Sequence, residues 1–116
     1  MTFIVGIDIA KHKHECLVID ESGNSIVESF PFDNSVQGFD IFLLKMKSLP
    51  SPNKIKIGFE STGHYADNLK NFLIKSDYDF MEIHPVLINR YTKATTLRKT
   101  KTDKVDVKII CSYLNS

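Results

Sequence analysis

The run FIVGIDI at residues 3–9 is the strongest constraint on the fold of this chain. It is almost unbroken in apolar residues and of strand length, the pattern of a central strand buried on both faces of a sheet. One charge, Asp8, interrupts it near its end. Burying a carboxylate without partners costs several kcal/mol, and Ile7 and Ile9 offer none. Asp8 is therefore either a strand-end residue that accepts backbone hydrogen bonds from the following turn, or a functional group.

Around this strand the chain reads as a regular alternation. Residues 15–20 (ECLVID) and 25–30 (SIVESF) are short, rich in β-branched or aromatic residues and separated by ESGN, which predicts an antiparallel meander. Asn34 or Ser35 can cap a helix whose Val36, Phe39, Phe42, Leu43 and Met46 share one face, ending before PSP at 50–52. Residues 54–60 (KIKIGFE) alternate and end at Glu60, as a strand would. A helix follows from about Thr62 with Tyr65, Leu69, Phe72 and Leu73 inward, then a short strand at 79–83 and a helix opened by Pro85. A last helix is expected from about Asp103 to Tyr113. The order β-β-β-α-β-α-β-α implies an α/β domain with a mixed five-stranded sheet, meander first and parallel strands after, flanked by helices.

The 116 residues suit one domain, with 42% hydrophobic and 25% charged residues. No apolar run approaches the ~20 residues of a membrane span, and MTFIVGID lacks the basic lead and cleavage site of a secretory signal. Cys16 and Cys111 have no metal-type spacing, which points to two structural thiols in a reducing, cytoplasmic setting. The net charge of +1 conceals an asymmetry: residues 1–87 carry eight Lys against twelve acids, and residues 88–116 carry seven Lys or Arg against two. A basic flank of that kind is either a solvated helix face or a contact for a phosphate backbone.

Ligand sites in such sheets lie beyond the carboxyl ends of parallel strands, where Asp8 and Glu60 would emerge together if their strands are neighbours. Glu60 alone could be a surface residue preceding a helix. Asp103 and Asp106, three apart in KTDKVDVK, approximate a capping box with Asp103 as N-cap and Asp106 at N3. They also share a helical face with Ile110 and Leu114, the face that must pack on the sheet, and no lysine follows either at four residues. Four carboxylates converging on one edge fit hard divalent cations such as magnesium, which prefer oxygen ligands and retain water and substrate phosphates. Two such ions can stabilise the attacking and leaving oxygens of an in-line displacement at phosphorus.

GIDIAK (6–11), FESTGHY (59–65) and LRKTKTDKVD (97–106) together resemble the N-terminal, RuvC-like domain of DEDD-type transposases of bacterial insertion sequences, the family that includes the Piv and MooV DNA invertases. The resemblance covers essentially the whole chain. It implies a ribonuclease H-like fold, with Asp8, Glu60, Asp103 and Asp106 as the catalytic, metal-binding acids of a DNA recombinase. It further implies Mg2+ or Mn2+ as cofactor, as two ions, and DNA as partner, with a structured guide RNA in some members and a homo-oligomer for the full-length protein. Lys11, Arg98, Lys99, Lys101 and Lys104 are the expected nucleic-acid contacts. Family members continue into a helical domain with a nucleophilic serine, which this chain lacks, so a fragment is expected. They also usually have Asn where this chain has His84 and Ala where it has Val107.

Other chemistry fits less well. Ser61 lacks a G-x-S-x-G elbow and reads as a helix-cap residue, and KHKH at 11–14 reads as an exposed turn. No P-loop or Rossmann fingerprint is present, and an actin-like ATPase would need a second phosphate loop in a duplicated half. The alternatives that keep the fold are a non-catalytic nucleic-acid-binding or oligomerisation module and a metal-dependent RuvC-like nuclease.

Overall fold

A central, doubly buried strand organises the computed structural model, which describes residues 1–50, 54–95 and 106–116. That strand is β1 (Thr2–Asp8), in the middle of a five-stranded sheet of order β3-β2-β1-β4-β5. β1 pairs antiparallel with β2 (Lys13–Ile19), and β2 pairs antiparallel with β3 (Ser25–Asp33). β4 (Lys54–Glu60) lies parallel to β1, from Thr2 opposite Lys54 to Ile7 opposite Phe59, and β5 (Phe80–Ile83) lies parallel to β4. The mixed sheet expected from the element order is the one observed.

Alternation along β1 divides the interior in two. Phe3, Val5 and Ile7 point into one core with Cys16, Val18, Phe32, Ile57 and Phe59. Helices α1 (Val36–Lys47) and α2 (Asp67–Lys75) cover that face through Phe39, Phe42, Met46, Leu69 and Leu73. Full burial of each large apolar side chain contributes about 1.5–3 kcal/mol. Ile4, Leu17, Ile19 and Ile83 point to the opposite face, beneath α3 (Pro85–Thr95) and α4 (Val107–Leu114). Ser35, not Asn34, caps α1 by accepting a hydrogen bond from the Gly38 backbone N–H at 3.2 Å.

Two expected core residues lie outside it. Val36 is 72% exposed, because it is the first helical residue after the cap and the inward stripe begins at Phe39. Tyr65 is 47% exposed, because residues 63–66 form a single 3-10 turn before α2 and the tighter winding turns Ala66 inward instead.

α4 seats on the sheet through two glycines. Val107, Ile110, Cys111 and Leu114 form its buried stripe. A Cβ on Gly6 would lie 2.7 Å from Cys111 Sγ and 3.1 Å from the Cys111 backbone nitrogen, and one on Gly58 would lie 2.5 Å from a Leu114 methyl. Cys111 Sγ–H donates to Leu17 O at 3.4 Å, and Lys56 Nζ donates to Leu114 O at 2.7 Å, a cation placed at the helix C-terminus. Both cysteines are free and buried; burial pushes the Cys16 thiol well above its usual pKa and the Cys111 thiol up to about 12. They are structural thiols, as expected.

The turn expected at 11–14 is shorter than the sequence suggests. Lys11, His12 and Lys13 are exposed, but β2 already begins at Lys13 and its alternation turns His14 fully inward, edge-on to Phe32. His14 Nδ1 accepts the Ala10 backbone N–H at 3.1 Å, so the neutral ring carries its proton on Nε2. Burial holds its pKa below the ordinary 6.5, with interaction with the Asn34 side chain opposing the shift.

Two outcomes follow for stability. Gly6→Ala should cost about 1–3 kcal/mol in urea unfolding, since the new methyl meets helix backbone as well as a side chain; a neutral result would mean that α4 lifts freely. Below pH 6.5 the unfolded chain binds a proton that folded His14 resists, so stability should decline from there toward roughly pH 5, before most carboxylates titrate. His14→Gln should flatten that slope in melting curves, and an unchanged slope would assign it to other groups.

Candidate metal and nucleic-acid site

β1 and β4 end together at the carboxyl side of the parallel pair. Their last paired residues are Ile7 and Phe59, and the next residue on each strand is an acid, Asp8 and Glu60. Alternation fixes the direction of both. Ile4, Gly6 and Asp8 share one face of β1, Lys56, Gly58 and Glu60 share the same face of β4, and α4 lies over the two glycines. The carboxylates thus stand on neighbouring strands ~4.8 Å apart, on the α4 side. Both residues are half-buried, and Glu60 Oε2 is shielded from solvent.

The register adds an acid that the sequence pattern did not single out. Asp8 pairs across the antiparallel ladder with Glu15 on β2, and Glu15 shares the face of Leu17, which belongs to the core beneath α4. Glu15, Asp8 and Glu60 therefore form a row across three adjacent strands. Like charges directly opposite are destabilising. The sequence signal was the two-residue step from Glu15 to Leu17, which became informative only once the hairpin register was known.

Asp106 joins from the covering helix, in a different role from the one expected. The described helix starts at Val107, and Asp106 is its N-cap, with Oδ1 accepting the Ile109 N–H at 3.0 Å. It is not at N3, and it is exposed, outside the buried stripe it was expected to share with Ile110 and Leu114. The end of α4 that carries it nonetheless lies toward the acid-bearing strand ends. Val107 O lies over Gly6, whereas Leu114 O reaches Lys56 and Asn115 Nδ2 reaches Glu21 O, so the N-terminal end of α4 is the one nearer Asp8 and Glu60. The cap uses one carboxylate oxygen and fixes the orientation of the other.

Asp103, Arg98, Lys99, Lys101 and Lys104 lie outside the described residues. Among the described residues, no three His, Cys, Asp or Glu side chains close into a group able to hold a metal ion. Lys11 is exposed in the connection that leaves β1 three residues after Asp8. Ser61 is not a helix cap: its backbone N–H donates to Ile83 O at 2.8 Å, and the following 3-10 turn has Thr62 at its N-cap position without a side-chain bond. His84, where family members usually have Asn, accepts the Val86 N–H on Nδ1 at 3.1 Å at the start of α3. Val107 packs into the core beneath α4.

No curated protein matches the chain. Among solved structures it is similar to the type II variant of the Aquifex aeolicus Ppx/GppA phosphatase, at 9% identity and a TM-score of 0.45. That similarity covers 85% of this chain, which spans 42% of the phosphatase. Among the described residues, no helix is long and apolar enough to cross a membrane. A family model described as a transposase, of the DEDD type of IS110 elements, matches residues 5–116, from within β1 to the last residue. The chain therefore belongs to the DEDD transposase family.

Proposed function

We propose that the chain is a ribonuclease H-like, RuvC-like transposase domain in which Asp8, Glu60, Asp103 and Asp106 hold Mg2+ or Mn2+, as two ions, for cleavage and transfer of DNA strands. The observation that carries this reading is the parallel register of β1 and β4, which sets Asp8 and Glu60 on neighbouring strands, on one face, at the end approached by the Asp106 cap. The family match supports the class of reaction.

The donor set fits the cation. All four side chains are carboxylates, the ligand type of magnesium and manganese, and no soft or imidazole ligand is included. When bound, divalent ions supply charge that stabilises the attacking and leaving oxygens at phosphorus. The rest falls to the chain itself. Asp8 and Glu60, at the ends of neighbouring strands, present two carboxylates on one face of the sheet, and half-burial limits their movement. Asp106 is held by its capping bond, which orients its carboxylate without consuming both oxygens. Lys11, beside the acids, and Arg98, Lys99, Lys101 and Lys104 attract the phosphate backbone toward a centre whose own charge would repel it.

Two measurements test the proposal. Millimolar Mg2+ or Mn2+ should raise the melting temperature on the order of 5–15 °C near a hundredfold excess over the dissociation constant, and Asp8→Asn or Asp106→Ala should abolish the rise. No shift with all acids intact would sink the metal site. Binding to duplex DNA should weaken with salt, and Lys11→Ala should reduce the log-log slope by about 0.9. A salt-independent affinity would remove the phosphate contact, whereas salt-dependent binding unaffected by loss of the acids and without cleavage would favour a binding module.

A further inference from the structure

The ladder between β1 and β4 ends at Ile7 and Phe59, one residue short of both acids. Beyond that point Asp8 is held by its pairing with Glu15 on β2 and Glu60 by its pairing with Ile83 on β5, so the two acids are anchored on opposite sides. Ser61 N–H bonds to Ile83 O and ties β4 to β5, not to β1.

Asn34 ties the two connections that follow the acids. It sits between β3 and the Ser35 cap of α1. Its Nδ2 donates to Lys11 O at 3.1 Å and to Tyr65 O at 3.3 Å, and its backbone N–H donates to His12 O at 2.9 Å. Lys11 follows Asp8 by three residues, and Tyr65 follows Glu60 by five. One side-chain amide thus bridges the two connections that issue from the acid-bearing strand ends.

The orientation of that amide is fixed by chemistry. Nδ2 faces two carbonyls, so a flipped amide would set oxygen against oxygen twice. On the other side is His14, whose Nδ1 accepts from Ala10 and which therefore presents Nε2–H. His14 Nε2 and Asn34 Oδ1 are both shut away from solvent, and neither completes a well-aligned hydrogen bond, yet the two side chains interact. His14 is thus bonded to the segment after Asp8 through Ala10, and Asn34 to both connections through its Nδ2.

We infer that Asn34 is a positioning residue that steadies the spacing of Asp8 and Glu60 by tying together the connections that follow them. Its consequence for metal binding rests on the proposed acid site, but its geometry does not. An outer group that fixes ligands in this way typically changes metal affinity by roughly 10–100-fold when removed.

The test uses the 116-residue chain, Mn2+ as probe, and Asn34→Ala and Asn34→Asp, the second preserving size and the oxygen toward His14 while deleting the donor. Ser35→Ala is the control, since it removes the adjacent cap and lowers stability without touching the bridge. Without metal, amide exchange at Ala10 on one side and at Ser61 and Asp67 on the other should accelerate together, roughly five- to tenfold, in both Asn34 variants. With metal, Mn2+ affinity from the resonance of the free ion should fall roughly tenfold or more in both and stay unchanged in Ser35→Ala. Wild-type exchange in either connection, or an affinity equal to that of Ser35→Ala, overturns the inference. If the wild-type chain takes up no Mn2+, the metal reading falls separately, and the exchange alone then upholds or overturns the bridge. Where Asn34→Ala does not fold, Asn34→Asp carries both readouts.

Discussion

The seating of α4 on Gly6 and Gly58 is the constraint on which the arrangement of the site depends. Helix and sheet approach so closely there that a single Cβ on either strand would meet Cys111 or Leu114 below 3 Å. That contact decides two things together. It closes the second core over Ile4, Leu17 and Ile83, and it fixes which end of α4 lies nearer the carboxyl ends of the parallel strands. Larger residues at both positions would bury more apolar area, but would raise the helix and carry Asp106 away from Asp8 and Glu60. Close packing between rigid elements transmits position, whereas a looser contact would not.

Much of this was legible in the sequence because the signals were local and periodic. The almost unbroken run at 3–9 has the pattern of a doubly covered strand, and the alternation ending at Glu60 gave its neighbour the right face. Helical stripes at Phe39, Phe42 and Met46 and at Leu69 and Leu73 were buried as their spacing required. Short capped helices were harder. Periodicity alone could not distinguish Asp106 at N3 of a longer helix from Asp106 as the cap of a shorter one, because the acid-to-Ile110 spacing is the same in both.

What the sequence hid were features that require register. Glu15 becomes a member of the acidic row only through its pairing with Asp8, and nothing in ECLVID distinguishes it from a solvated strand end. His14 looked like part of an exposed basic turn because its neighbours are Lys11, His12 and Lys13, all of which are exposed. Two residues of extra strand reverse its environment. Asn34 was legible only as one of two possible caps; with Ser35 in that role, its amide is available to bridge two connections that are more than fifty residues apart in sequence.

The row Glu15, Asp8 and Glu60 runs against the interest of the fold. Carboxylates directly opposite one another in a ladder repel, and although Glu15 is exposed, the half-burial of Asp8 and Glu60 weakens the screening that water would supply to them. Elsewhere two of the sheet's charges have partners on the helices: Glu82 lies 3.3 Å from Lys70 of α2, and Lys56 meets the C-terminus of α4. Three acids lined up at one strand end place a like-charge cost at one point of the sheet. Two apolar cores can bear that cost, since each large side chain they bury contributes more than a like-charge pair removes. Under the proposed function that row is where a divalent cation would be held, and the Asn34 amide joins the two connections that follow Asp8 and Glu60.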